Sequence, residues 1–261
     1  MKKILIGAAL LSCLLSGCKK VQRLSYSGVF KLEKQTISDG NKDTTWIRKQ
    51  MKVYTDRNYI YGGMASDSSI RIGIGSYELD SGNRVVEHNI FNSKALDSTQ
   101  IFVVSVKKTN AGFVAVVPDW GRTKYTTFKL TEEYSKLPLG GSSALDGVWE
   151  LDEIYRVKGK DTARQHETKF KVFWRGHSLF IHRYSVAPVG DQYKDGFGYG
   201  TFSLKNNILC ESEKMASQIN RVNRSFNTRV TFSGPDKFLQ LFTVPGTHEQ
   251  TTELYKRIRQ F

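Results

Sequence analysis

The sequence predicts an all-β protein built from two tandem antiparallel up-and-down β-barrels. Two observations lead to this prediction: a long segment is repeated once, and each copy consists of short strand-like runs separated by turn sequences. The composition, with 39% hydrophobic and 25% charged residues in a chain of 261, is that of a globular protein and excludes disordered and collagen-like classes. Helical periodicity is scarce, and residues 213–222 are the only short helix that the pattern predicts.

Residues 1–17 have the features of a bacterial lipoprotein signal peptide. Two lysines precede an apolar run over residues 4–15, which is too short to span a bilayer. The run ends in the sequence LSGC at residues 15–18, which resembles the lipobox, where the cysteine sulfur is acylated and the chain is cleaved before it. We therefore expect a lipid on Cys18 and a tether over residues 18–27; the alternative is an ordinary signal peptide with a chance cysteine.

The residues after Cys18 bear on the destination of the protein. Lys19 resembles the residue that follows the lipidated cysteine in outer-membrane lipoproteins of proteobacteria, whereas surface-exported lipoproteins of Bacteroidetes-like bacteria usually carry acidic residues there. We expect anchoring to the bacterial outer membrane with the protein facing the periplasm. The net charge of +14 is spread along the chain, which favours a basic surface near anionic lipids, and export makes nucleic acid an implausible partner.

An internal repeat divides the remaining chain into two units. Residues 28–32 (GVFKL) match 147–151 (GVWEL), and residues 73–79 (GIGSYEL) match 198–204 (GYGTFSL). Further matches pair Glu87 with Glu211, Phe113 with Phe238, and residues 126–127 with 251–252. We therefore expect barrels over residues 28–130 and 147–261, joined by a Pro/Gly/Ser-containing linker over residues 131–146.

Each unit contains eight strand-like runs at the short, even spacing that favours a meander closed into a barrel. The predicted strands of the first unit are residues 26–37, 48–55, 58–64, 70–79, 84–90, 100–107, 112–118 and 124–130. Those of the second unit are residues 147–157, 167–175, 178–186, 197–204, 207–211, 226–232, 237–244 and 251–258.

Three stretches of the second unit resemble lipocalin-like (calycin) barrels, most closely the compact lipocalin-like domains in lipoproteins of Bacteroidetes-like bacteria. They are the opening GVW at residues 147–149, the central GYGTFSL at 198–204 and the closing LYKR at 254–257. The resemblance implies that Trp149 packs across the closed end of the barrel against a basic side chain of the last strand, for which we select Arg257. The first unit has Phe30 in place of the tryptophan, and Lys129 is its expected basic partner.

Aromatic side chains alternate along the third strand of each unit, so that they share one face of the strand. Two interpretations stay open: core packing, which is the commoner role of such a stripe, or the wall of a ligand cavity. The candidate ligand-lining residues are Tyr59, Tyr61 and Tyr77 in the first unit, and Phe180, His182, Tyr184 and Phe202 in the second.

Nothing in the sequence predicts catalysis, a metal site or a cofactor. The five histidines form no metal-binding motif, and His177 and His182, five residues apart, fall on opposite faces of a strand. The glycine-rich segments at residues 73–75 and 196–200 lead into strands rather than helices, which disfavours a nucleotide loop. Cys210 is the only cysteine beyond Cys18 and lies in an apolar run, as inert buried thiols do.

Two functional hypotheses follow for a non-enzymatic envelope lipoprotein. In the first, one or both barrels bind a small apolar or amphipathic ligand, because barrels of this size leave room for at most one such molecule. In the second, the barrels are packed scaffolds whose outer surface recognises an envelope protein or glycan. The volume of the barrel interior separates the two hypotheses.

Overall fold

The computed structural model describes residues 26–80, 82, 84–93, 100–122, 126–158, 160–185, 193–243 and 249–259. Within this part of the chain the protein is all-β, and it forms two closed antiparallel eight-stranded barrels in tandem, which confirms the predicted fold class. The predicted signal peptide, Cys18 and most of the predicted tether lie outside the described residues, and the lipid anchor therefore stays a prediction. No helix of the described part is both long and apolar enough to cross a membrane.

Barrel 1 closes because its first strand pairs with its last. Strand β1 hydrogen-bonds to β3 near its start and to β9 along most of its length. The second strand of the barrel is interrupted at Ile47, which divides it into β2 and β3. The beginning of β1 pairs with β3, and the end of β1 pairs with β2. The strands are β1 (Gly28–Ser38), β2 (Asp43–Trp46), β3 (Arg48–Tyr54), β4 (Asn58–Ala65), β5 (Ile70–Leu79), β6 (Arg84–Asn92), β7 (Ile101–Lys108), β8 (Gly112–Arg122) and β9 (Thr127–Lys136).

Barrel 2 repeats the same topology, with β10 pairing to both β12 and β18. Its broken second strand is formed by β11 and β12. The strands are β10 (Gly147–Lys158), β11 (Asp161–Gln165), β12 (Glu167–Trp174), β13 (His177–Ser185), β14 (Tyr193–Lys205), β15 (Ile208–Ala216), β16 (Ser225–Phe232), β17 (Lys237–Thr243) and β18 (Gln250–Ile258).

The predicted end of barrel 1 at residue 130 is wrong, and so is the start of the linker at 131. Strand β9 continues to Lys136, because Glu132 belongs to the barrel interior and not to a solvated linker. Its carboxylate accepts a hydrogen bond from Gln35 Nε2 at 2.8 Å and one from the Tyr134 hydroxyl at 2.9 Å. The strand register also changes the predicted match of residues 126–127 with 251–252. Tyr134, which pairs with Phe113, is the counterpart of Tyr255, which pairs with Phe238.

The predicted helix over residues 213–222 is also wrong. Strand β15 runs on to Ala216, because these residues complete the pairing with β14, and only a single 3₁₀ turn follows, at Ile219–Arg221. Local helix propensity is overridden by the hydrogen-bonding needs of the closed sheet.

The two barrels are packed against each other through their outer faces. Arg183 of β13 reaches into barrel 1, where it donates to the carbonyl oxygens of Asn92 and Ser93 at 3.3 and 3.0 Å. Its guanidinium lies 5.0 Å from the centroid of the Phe91 ring. One buried apolar cluster joins both barrels and consists of Val29, Met51, Val53, Ile60, Ile72, Ile74, Val148, Phe170, Val172, Leu179, Ile181, Phe197 and Tyr199.

Candidate functional site

The closed end of barrel 2 is covered by Trp149 and the linker. The Arg257 guanidinium carbon lies 4.1 Å from the centroid of the Trp149 ring, and its nitrogens donate to the carbonyl oxygens of Ala144 and Asp146. Trp149 Nε1 donates to the carbonyl of Leu145 at 2.8 Å. The linker is thereby fixed over the barrel floor, and this end is closed to ligands.

Barrel 1 has a weaker version of the same closure. The residue paired with Phe30 is Lys136, just as Arg257 is paired with Trp149. The Lys136 ammonium lies 5.9 Å from the centroid of the Phe30 ring. The expectation that Lys129 is the basic partner is therefore wrong, because it followed from ending β9 six residues too early.

The upper half of barrel 2 contains a cavity of about 380 Å³. Inward-facing side chains of six strands line it, together with the 3₁₀ turn and its flanking residues at the open end. The lining side chains include Lys169, Lys171, Phe180, His182, Glu211, Glu213, Arg221, Phe226, Thr228, Gln240, Phe242 and Glu253.

The glycine-rich segments make room for the aromatic residues of the neighbouring strand. A Cβ on Gly198 would lie 2.3 Å from Phe180 Cε1, and one on Gly73 would lie 2.5 Å from Tyr61 Cε1. Each glycine lets the facing ring lie flat against the inner barrel wall. The repeated glycines therefore have a packing role in both barrels.

Ion pairs and hydrogen bonds run through the cavity of barrel 2. Lys169 Nζ lies 2.6 Å from a Glu253 carboxylate oxygen, and Lys171 Nζ donates to Gln240 Oε1 at 3.0 Å. Gln240 in turn donates to the hydroxyl of Thr228 at 3.1 Å. At the open end the Arg221 guanidinium pairs with both carboxylate oxygens of Glu213.

The electrostatics keep several of these groups ionised at neutral pH. The ammonium groups of Lys169 and Lys171 lower the pKa of Glu253 to about 2, against the opposing effect of its burial. The carboxylates of Glu253 and Glu167 raise the pKa of Lys169 although burial lowers it. The Glu213 carboxylate likewise raises the pKa of Arg221.

His182 faces the cavity and is held by Glu167. The His182 Nδ1 and the Glu167 carboxylate are 2.6 Å apart. His177 lies on the other face of the same strand, as expected, and its ring contacts the Tyr199 hydroxyl and the carbonyl of Pro138, both at 2.8 Å.

A second, larger concavity of about 580 Å³ lies on the outer side of barrel 2, between its β10–β12 edge and Phe91 of barrel 1. Glu167 lines this groove while its carboxylate contacts His182, so the Glu167–His182 pair separates the groove from the inner cavity. The groove lies outside the barrel, and we therefore take the inner cavity as the candidate site.

The candidate aromatic residues of barrel 2 lie at different depths. Phe180 and His182 line the cavity, whereas Phe202 is buried beneath it against Phe173, with ring centroids 4.8 Å apart. Tyr184 contacts His182, with ring centroids 5.1 Å apart, and is not among the residues that line the cavity.

The candidate residues of barrel 1 lie in its interior. Tyr59 is 1% exposed and stacks on Tyr61 with ring centroids 6.5 Å apart. Tyr77 packs edge-on against Tyr54 at 4.9 Å and donates to the carbonyl of Thr55 at 2.7 Å. Burial raises the pKa of each of these candidate tyrosines, so they stay neutral in the physiological range.

Sequence reasoning missed the charged residues of the cavity. Lys169 and Lys171 alternate with Phe170 and Val172, which face the interface between the barrels. The unnoticed carboxylates are Glu211, Glu213 and Glu253. Strand alternation alone would have placed them inside, because Lys171 shares a face with Phe173, and Glu253 with Tyr255. Within the described residues, no group of three or more His, Cys, Asp or Glu side chains is arranged to hold a metal ion.

Comparison with known proteins adds little to this picture. No protein-family model matches the chain, and the comparison with curated proteins found no match. Among solved structures, the chain is similar to a protein of unknown function of the DUF3598 family from Nostoc punctiforme, at 9% sequence identity and a TM-score of 0.26. The match covers 89% of this chain and 96% of the other, and a similarity this remote carries no argument about function.

Proposed function

We propose that the protein is a non-catalytic, lipid-anchored carrier of the bacterial outer membrane that binds one small amphipathic ligand inside barrel 2. The observation that carries the proposal is the cavity of about 380 Å³, which lies in the range of ligand-binding cavities, about 300–1,000 Å³. Lipocalin-like identity and attachment through Cys18 are parts of this proposal, supported by the sequence motifs.

The cavity walls favour an amphipathic over a purely apolar ligand. Phe180, Phe226 and Phe242 offer apolar surface, but buried lysines and carboxylates share the same space. An apolar molecule would remove water from these charges without replacing its hydrogen bonds, which is costly. A ligand with both polar and apolar parts satisfies both kinds of wall.

The interior of barrel 1 supports assigning the ligand to barrel 2. Tyr59 projects across barrel 1, and its hydroxyl lies 3.4 Å from Asn89 Oδ1 on β6. Ser178 is the residue of barrel 2 at the same register as Tyr59. Ser178 pairs with Phe173 and Gly200, and Tyr59 pairs with the equivalent residues Tyr54 and Gly75. The small side chain leaves open the space that the tyrosine occupies in barrel 1.

Native mass spectrometry of the full chain, purified gently from its host, tests the proposal. We expect a discrete extra mass that is lost on denaturation. Ser178→Tyr should remove it, because the ring would extend across the cavity toward Glu213. Ser203→Tyr, the same change at an exposed position of β14, is the matched control and should retain the ligand.

Circular dichroism verifies that each variant is folded. If Ser178→Tyr does not fold, Thr228→Leu replaces it. Leucine should be tolerated there because barrel 1 has the apolar Val104 at the same register. A ligand mass that persists in the folded Ser178→Tyr variant, or in the variant that replaces it, contradicts the proposal. A clean mass, together with no binding in a small-molecule screen, favours recognition of an envelope protein or glycan by the outer surface instead.

A further inference from the structure

The charged side chains inside barrel 2 balance in number. Three cationic side chains, Lys169, Lys171 and Arg221, line the cavity together with three carboxylates, Glu211, Glu213 and Glu253. A ligand with a net charge would leave one charge of this set without compensation in a partly dehydrated space, which is unfavourable. The balance therefore favours a ligand with zero net charge.

One ion pair in the cavity is held more loosely than its counterpart in barrel 1. Lys52 Nζ lies 2.6 Å from the Glu87 carboxylate, whereas Lys171 Nζ lies 3.4 Å from that of Glu211. Gln240 Nε2 approaches the same oxygen of Glu211 only to 3.5 Å. Both side chains of the loose pair are nonetheless largely buried, at 7% and 13% exposure.

The looseness has a specific cause in the sequence. In barrel 1 the Tyr54 hydroxyl donates a short hydrogen bond to Glu87 and holds the carboxylate beside Lys52. The counterpart of Tyr54 is Phe173, which has no hydroxyl, although its ring occupies the same place. Both rings lie 6.3 Å from the equivalent phenylalanine, Phe113 in barrel 1 and Phe238 in barrel 2.

The apolar part of the cavity lies at its open end. The Arg221 guanidinium lies between two rings, 5.4 Å from the centroid of Phe180 and 4.8 Å from that of Phe226. Phe242 also lines the cavity. A ligand that enters from this end would leave its apolar portion against these rings and extend its polar portion toward the loose pair.

We propose, on the basis of the function assigned above to barrel 2, that the ligand is a compact zwitterion with an apolar side group. Its anionic group lies beside Lys171 and its ammonium group beside Glu211, so that each charge of the loose pair gains an opposite charge. The apolar side group packs against Phe180, Phe226 and Phe242.

A series of probes with one apolar skeleton and different charges tests the ligand class. The probes are phenylalanine as the zwitterion, phenylpropanoate as the anion, phenylethylamine as the cation and phenylpropanamide as the neutral analogue. We expect isothermal titration calorimetry to give phenylalanine a Kd at least about tenfold lower than those of the other three, because each of them leaves a buried charge or polar group unpaired.

The variant Phe173→Tyr tests the role of the loose pair. Its hydroxyl would hold Glu211 as Tyr54 holds Glu87, and phenylalanine should bind at least about tenfold more weakly. Tyr54→Phe, the reciprocal change in barrel 1, should leave the affinity unchanged. Unfolding curves of both variants separate loss of binding from loss of the fold.

Equal or tighter binding of the charged or amide analogues overturns the zwitterion proposal, as does an unchanged affinity in folded Phe173→Tyr or no binding of phenylalanine at all. None of these results removes the proposed carrier function. That function fails only if the native ligand mass persists in folded Ser178→Tyr, or if the mass is absent and no compound binds in the small-molecule screen.

Discussion

Equivalent strands of the two barrels carry different interior side chains, and the comparison identifies the substitutions that accompany the cavity of barrel 2. In barrel 1 the Lys52 ammonium lies between about 5 and 6 Å from the ring centroids of Tyr54, Tyr59 and Tyr61. In barrel 2 the residues at these registers are Phe173, Ser178 and Phe180. The loss of one ring opens space, and the loss of one hydroxyl loosens an ion pair.

The polar residues of barrel 2 follow from the same change. Gln240 and Thr228 stand where barrel 1 has Ala115 and Val104, and they hydrogen-bond to each other at 3.1 Å. Buried polar groups are tolerated where they find partners, and a cavity supplies both the space and the partners. The difference between the barrels is therefore coordinated over several strands and does not lie in a single substitution.

The substitution Tyr59→Ser in barrel 1 should have the largest effect on the free energy of unfolding. It removes a ring that is 1% exposed, and because the closed wall collapses only in part, we expect a loss of about 3–5 kcal/mol in the free energy of unfolding. Urea denaturation measures it, with Ser66→Ala at an exposed position of the β4–β5 turn as a surface control. A loss below about 1 kcal/mol would show that barrel 1 is not filled by its tyrosines.

Acid titration should destabilise barrel 2 through Glu253. Because the neighbouring lysines hold its folded pKa at about 2, below the ordinary value of 4.5, its contribution is fully present above pH 4.5 and is lost as the pH falls toward 2. The shift corresponds to stability on the order of 3 kcal/mol. Urea denaturation between pH 7 and pH 2 measures it.

The variant Glu253→Gln identifies the group responsible for this acid sensitivity. It should be less stable at pH 7, because Lys169 loses its counter-charge, and its stability should fall less between pH 5 and pH 2. Glu133→Gln, at an exposed glutamate of β9, should keep the slope of the parent protein. An unchanged slope in Glu253→Gln would contradict the assignment.

The variant Gly62→Val tests the packing of one barrel against the other. A Cβ at Gly62 would lie 2.7 Å from Phe197 Cβ across the interface, so valine must separate the barrels, at a cost of about 1–3 kcal/mol. At Gly141 in the linker an added Cβ meets nothing within 4 Å, and Gly141→Val is therefore the control. Equal effects of the two variants on chemical denaturation would contradict the close contact.

The smallest expected effect comes from making the closed end of barrel 2 resemble that of barrel 1. Trp149→Phe removes the hydrogen bond to Leu145 and weakens the contact with Arg257, and we expect a loss of about 1–2 kcal/mol. Thermal unfolding measures it. Trp46→Phe, at a 47%-exposed tryptophan of barrel 1, should have no measurable effect.

The fold could be predicted because it depends on patterns that are visible along the sequence. Strand alternation and the internal repeat identified two barrels, and the contact of Arg257 with Trp149 followed the family resemblance. The end of β9 was misplaced because Glu132 and Glu133 resemble linker residues until their partners across the barrel are known. Such partners lie about a hundred residues away, and no local pattern reveals them.

The candidate site was predicted only in part, for a related reason. Aromatic periodicity identified Phe180 and His182 as interior residues, but it did not distinguish the filled barrel from the one with a cavity. That distinction depends on which side chains meet across the interior. Ser178 and Phe173 look unremarkable in the sequence, and their effect appears only when they are placed beside Tyr59 and Tyr54 in register.

The interface between the barrels has a consequence for the origin of the chain. Residues at equivalent positions of the two copies, Val53 with Val172 and Ile60 with Leu179, lie in the same apolar cluster, so each barrel uses the same face toward the other. This self-complementary arrangement is that of the subunits in a symmetric homodimer. Because both barrels belong to one polypeptide, however, equivalent positions can carry different side chains, which the identical subunits of a homodimer cannot.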